Sequence, residues 1–160
     1  MLTLTDKRVI SKILSSINSD NDVISMKENI QHGKISTYDH CVHVVKMCYV
    51  MDKKFHLHSN LNDLLIGAML HDFFLYDWHK RGRVERDKSG RFIGIHGFTH
   101  PILASKNAKS HFNINSNVQN IVESHMWPLT ITHIPKSKEA WIVTISDKIV
   151  SIYEILFCGK

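Results

Sequence analysis

Glycine and proline are scarce in this chain, with seven and three among 160 residues. That scarcity argues against a loop-rich sandwich or barrel, which needs turn residues at short, regular intervals. No apolar run approaches the ~20 residues that span a bilayer. The opening segment MLTLTDKRVISKILSSINSDND carries charges inside its apolar pattern and no small-residue cleavage site, so it does not read as a signal peptide. A cytoplasmic protein without a membrane partner is expected. Low-complexity tracts and internal repeats are also missing. There are three cysteines. Cys41 and Cys48 fall seven residues apart on one expected helix, roughly 10 Å, too far to bridge. Their spacing fits neither a zinc ribbon nor a redox pair, and they read as core thiols.

What is present is ordinary for a folded domain, 43% hydrophobic and 22% charged, except for twelve histidines. The formal charge of +5 favours solubility and some attraction for anions, and does not by itself establish nucleic-acid binding. Length and composition suit one domain over residues 1–160.

Hydrophobic spacing predicts an all-α bundle of about six to seven helices. The first runs from Thr5 to Ile17, and a short one covers Val23–Ile30 and is ended by Gly33. Ser36 or Thr37 caps a longer helix to Phe55, and Asn60 caps another from Leu61 to about His79. Residues 81–98 read as a loop with a short hairpin. Pro101 suits the first turn of a helix to His111. Helices over Ser116–His125 and from Lys138 to Leu156 complete the chain, with Pro128 and Pro135 bracketing the linker between them.

Stripes of positions three or four apart identify the face each helix buries. His40 shares a stripe with Val44, Met47 and Met51. Asp72 falls in line with Leu61, Leu65, Ala68 and Leu75, and His71 sits beside it with Leu64, Phe74 and Trp78. His125 follows Val118, Ile121 and Val122. Asp147 lies between Val143 and Val150. Four helices thus aim a histidine or carboxylate at apolar interior, where an unpaired charge costs several kcal/mol. One histidine in such a place is usually a hydrogen-bonded core residue. Histidines and aspartates converging together are what a divalent cation binds.

In order, His40, the His71–Asp72 doublet and Asp147 resemble the H…HD…D signature of the HD-domain metal-dependent phosphohydrolases. The resemblance spans roughly residues 36–155. It implies a compact HD-type bundle whose first metal is held by His40, His71, Asp72 and Asp147. The segments HPILASKNAK from His100 and ESHMWP around His125 resemble the extra histidines of two-metal members. They imply a second ion shared through Asp72 and completed by His100 and His125. His96 is the alternative to His100, which is preferred because Pro101 would fix it at a helix start. Met126 stands where the cyclic-dinucleotide-cleaving HD-GYP branch has a second histidine, and Phe74 and Leu75 replace the usual glycine and lysine. That branch is disfavoured.

The implied function is hydrolysis of a phosphoester or phosphoanhydride, with a nucleotide among the candidate substrates. His71 and Asp72 stand at the catalytic centre, with one or two ions of Mn, Ni, Co, Zn, Mg or Fe. Lys80, Arg81 and Arg83, in the basic stretch HKRGRVERDKSGR, and Lys148 are the candidate phosphate contacts. Asp77 reads better as a solvated helix-end carboxylate than as a general base. Basic residues concentrated in one loop without interleaved aromatics make nucleic acid an unlikely partner. A homo-oligomer is compatible with the sequence. A di-iron oxygenase would use the same ligands, and a non-catalytic, metal-stabilised nucleotide sensor would keep them without turnover.

Overall fold

The computed structural model describes residues 2–78, 84–86 and 92–158, with 84–86, 92 and 93 described as backbone only. Among these residues there are eight helices: α1 (Leu4–Ile13), α2 (Ser15–Asn18), α3 (Asn21–Ser25), α4 (Thr37–Phe55), α5 (Leu61–Leu70), α6 (His96–Phe112), α7 (Ser116–Ser124) and α8 (Lys138–Tyr153). The fold is all-α, as the periodicity predicts. Both expected caps are in place. Ser36 Oγ accepts from the Asp39 amide at the start of α4, and Asn60 Oδ1 accepts from Asn62 and Asp63 at the start of α5, each satisfying amides that a first turn leaves unpaired. Asn115 and Ser137 cap α7 and α8 in the same way.

The centre of the molecule is α5. It packs against α4, α7 and α8, and α6 lies across α7. Leu64, Leu65, Ala68, Met69 and Leu70 on α5 are fully buried, and one hydrophobic cluster joins them to Cys41, Val44, Cys48, Ile121, Val122 and Val143. Burying such a side chain contributes about 1.5–3 kcal/mol each relative to exposure. The two expected core thiols are both in this cluster. Gly67 lets α5 and α7 approach closely, because an added Cβ would lie 2.6 Å from Ile121 Cγ2. No helix among the described residues is long and apolar enough to cross a membrane.

Four elements differ from expectation. The first helix, expected as one run from Thr5 to Ile17, is divided at Leu14 into α1 and α2. The short second helix stops at Ser25, and one 3-10 turn (Met26–Glu28) leads into an antiparallel hairpin of β1 (Ile30–His32) and β2 (Ile35–Ser36). Gly33 sits in its turn at φ 57°, a conformation that suits glycine, so it reverses a hairpin rather than ending a helix. Helix α5 ends at Leu70, not near His79. His71, Asp72, Phe73 and Phe74 are all buried, and four consecutive buried side chains exceed one helical stripe. A turn accommodates them, closed by Phe73 N–H to Leu70 O and Phe74 N–H to Asp72 O. Helix α6 starts at His96, so Pro101 is its sixth residue rather than in its first turn. A second hairpin, β3 (Val84–Arg86) with β4 (Phe92–Ile95), precedes α6. Lys80, Arg81 and Arg83, the proposed phosphate contacts, lie outside the described residues.

Candidate metal centre

A helix ends with four carbonyls that have no intrahelical donor. At the ends of α5 and α7 a histidine occupies the capping position and supplies one. His71 Nδ1 lies 2.8 Å from Ala68 O, and His125 Nδ1 lies 2.7 Å from Val122 O. Within α6, His100 Nδ1 lies 2.7 Å from His96 O. A carbonyl only accepts, so each Nδ1 carries the proton and donates it. The fourth ring, His40 on α4, gives its Nδ1–H to the Glu154 carboxylate at 2.8 Å. In the neutral form all four rings therefore present an Nε2 lone pair on the inner side.

These lone pairs meet two carboxylates. His40 Nε2 is 3.1 Å from Asp147 Oδ1 and 4.0 Å from Asp72 Oδ2. His71 Nε2 is 3.5 Å from Asp72 Oδ2 and 3.7 Å from Asp147 Oδ1. On the other side of the same carboxylate, Asp72 Oδ1 lies 3.3 Å from His100 Nε2 and 3.6 Å from His125 Nε2. Thus Asp72 faces two abutting groups, one through each oxygen. The His40–His71–Asp72 and Asp72–His100–His125 ligand atoms each lie within 4.8 Å of one another.

The donor set fits divalent cations. His71 Nε2 and Asp72 Oδ1 are buried without an aligned hydrogen bond, and His100 Nε2 and His125 Nε2 approach to 2.9 Å. Two lone pairs repel at that separation, so positive charge must intervene as a proton or a cation. Without a cation, protons do this work. Burial opposes charge on His40, but hydrogen bonds to Asp147 and Glu154 overcome it and push the ring up to about 10. Burial likewise opposes charge on His71, and Asp72 chiefly pushes it up to about 9. Burial and the facing charges of His100 and His71 take His125 down to about 3. Burial also works against the Asp72 and Asp147 anions, yet the neighbouring rings hold both well below the usual carboxylate range.

All six residues expected as metal ligands (His40, His71, Asp72, His100, His125 and Asp147) are buried together here. His96 is outside these ligand groups but lines the same cavity: its Nδ1 lies 2.7 Å from the Tyr76 hydroxyl, and its ring stacks between His100 at 4.6 Å and Trp78 at 5.2 Å. His100, not His96, joins Asp72 and His125 in a ligand group, and the expected reason for preferring it fails, since α6 begins at His96 and not beside Pro101. Lys148, a candidate phosphate contact in the sequence, is half-buried and already engaged. Its Nζ donates to His125 O at 3.0 Å and Thr144 O at 3.4 Å, bracing the end of α7. Asp77 is half-buried in the segment after α5 and is not among the described residues lining the cavity at the centre.

Sequence reasoning missed three residues. Glu154, in a π-helical turn over Glu154–Cys158 that continues α8, is 1% exposed and accepts from His40 Nδ1 on one oxygen and His43 Nδ1, at 2.7 Å, on the other. It is seven residues after Asp147, so continuing that stripe past Val150 finds it. Outer carboxylates of this kind orient a ligand ring and raise its basicity. Glu154→Gln should weaken cation affinity by about 10–100-fold with unchanged helicity, measured by competitive titration against a metal chelator. Equal affinities would remove Glu154 from the site. The β1 hairpin brings Gln31, whose amide donates to Asp72 Oδ2 at 2.7 Å, and His32, edge-on to His40 at 5.6 Å. A three-residue strand leaves no periodic signal.

A cavity of about 200 Å³ opens onto Asp72, His100, His125 and Asp147, with Gln31, His32 and Trp78 among its walls. Comparison with protein-family models, curated proteins and solved structures returns no match.

Proposed function

We propose that this chain is a metal-dependent phosphohydrolase of the HD-domain kind, acting on a small phosphorylated molecule. The observation that carries the reading is Asp72 facing a ligand group through each carboxylate oxygen, at the wall of an open cavity. Paired cation positions sharing a carboxylate suit in-line displacement at phosphorus, which needs charge stabilised on both entering and leaving oxygens. The order of His40, His71–Asp72 and Asp147 along the chain, resembling the HD signature, supports the same reading.

The chain's own residues have definite tasks in this scheme. His40, His71, Asp72 and Asp147 hold one cation, and Asp72, His100 and His125 hold the other. Bound there, divalent cations supply Lewis acidity toward a phosphoryl oxygen and make water acidic enough to act near neutral pH. Glu154 and the Ala68, His96 and Val122 carbonyls keep each ring in the tautomer that ligation requires. The buried walls of α5 and α7 keep bulk water from the inner ligands, and Gln31 holds Asp72 in position from the hairpin.

The test is protein purified without chelator, analysed for bound metal and then assayed on phosphomonoesters, phosphodiesters and nucleotides after loading with Mn, Ni, Co, Zn, Mg or Fe. Hydrolysis that chelation abolishes and one of these cations restores is expected. Metal binding without turnover of any phosphoester would overturn the hydrolase reading. Stoichiometric iron with an iron-dependent optical spectrum would redirect the assignment to the oxygenase.

A further inference from the structure

Beside the metal cavity lies a second, larger hollow of about 600 Å³. The two share three lining residues, Met126, Asp147 and Ser151, so the hollow adjoins the space where a phosphate at the cations would sit. The remaining surface is apolar, formed by Pro128 and Leu129 after α7 and by Ile152 and Ile155 at the end of α8. Leu129, Ile152 and Ile155 are 47%, 59% and 58% exposed, large aliphatic groups standing open beside a polar centre. The volume falls within the ~300–1,000 Å³ of small-molecule sites.

The polar side chains of this hollow already serve the protein. Ser151 Oγ donates to Asp147 Oδ1 at 3.2 Å. Lys148 Nζ donates to the His125 and Thr144 carbonyls. Asp147 faces the rings of the metal centre. A sugar or a hydrogen-bonding base entering here would lose water contacts with little side-chain recompense, at a cost that selects against it. An apolar group gains by burial.

The geometry points to a subsite for the alcohol portion of the substrate, and to a phosphoester of an apolar, uncharged alcohol as the substrate class. This rests on the phosphohydrolase reading for the reaction, though not for the binding. Hydrolysis breaks the ester P–O bond; water supplies the new P–O bond and the proton that leaves with the alcohol.

Two alkyl phosphates of similar leaving-group basicity make the test, cyclohexylmethyl phosphate and methyl phosphate, with the two corresponding phosphonates as unreactive probes. On the manganese-loaded protein, cyclohexylmethylphosphonate should bind at least about tenfold more tightly than methylphosphonate by calorimetry, and kcat/KM should favour the larger ester to a similar degree. Ile152→Asn should erase both preferences while metal content and kcat/KM for methyl phosphate stay unchanged. Leu129→Asn gives a second variant, in the segment after α7, should the first fail to fold. Selective phosphonate binding that the variants erase, without hydrolysis of either ester, would keep the subsite and remove the hydrolase. Hydrolysis of both esters without preference would keep the hydrolase and overturn the subsite, as would failure of both phosphonates to bind.

Discussion

Asp72→Ala should empty both cation positions at once. Its two oxygens face different groups, Oδ2 toward His40 and His71 and Oδ1 toward His100 and His125, so one substitution removes a ligand from each. Single ring replacements should behave differently. His125→Ala touches only the second group and should leave about one equivalent of metal, as should His40→Ala from the other side. Metal content by mass spectrometry separates these cases. Loss of cation stabilisation worth several kcal/mol at the phosphoryl group implies a fall in kcat/KM of about 10³-fold or more for Asp72→Ala. The variant should still fold. Removing one buried anion leaves Asp147 and Glu154 to balance His40 and His71, and the hydrogen bonds that close the turn after α5 use backbone atoms and not the Asp72 carboxylate. A folded Asp72→Ala protein with wild-type metal content would refute the assignment of this carboxylate.

The second large effect is in the response of stability to pH and chelator. In the unfolded chain a histidine titrates near 6.5. In the folded, metal-free protein His40 is raised to about 10 and His71 to about 9. A folded pKa above the unfolded value stabilises fully below the unfolded pKa, and that contribution is lost as pH rises through the folded pKa. The chelated protein should therefore lose stability from about pH 6.5 upward toward 9–10. The metal-loaded protein should not follow it, because cations bind the deprotonated rings and compete best where protons are scarce. The gap in Tm between loaded and chelated protein should widen across that window. Cation at a thousand times its Kd adds about 4 kcal/mol, which for a domain of this size means a gap on the order of 10 °C. Paired thermal melts at pH 6.5, 7.5 and 8.5, with and without chelator, measure it. Curves that coincide at every pH would mean that protons alone neutralise this cluster.

The residues legible in sequence were those that violate a pattern. His40, Asp72, His125 and Asp147 interrupt apolar stripes, and a stripe several turns long makes an intruder visible. The caps at Ser36 and Asn60 were equally plain, because an N-cap is defined within four residues of chain. Asp72 is buried, as its stripe predicts, but in a turn and not in the helix. Nothing local in GAMLHDFF marks the end of α5 at Leu70; burial of Phe73 beside Phe74 decides it, and that is a tertiary fact. Proline is a strong signal for a first turn, yet in this chain the helix begins five residues before Pro101. Gln31 and His32 reach the centre only through the hairpin folding back onto α4, a contact between segments that no periodicity links.

Each inner ring is aimed by a carbonyl or carboxylate, and three of the four anchors lie only three or four residues back along the same helix. The ligands come from stretches as much as 107 residues apart, yet the posture of most is a property of a single turn. Such a centre is modular in an evolutionary sense. A histidine arising at a helix terminus is correctly oriented from the moment it appears, before any companion exists to share a cation. A lineage can therefore acquire or shed these histidines one codon at a time while the bundle that carries them stays the same.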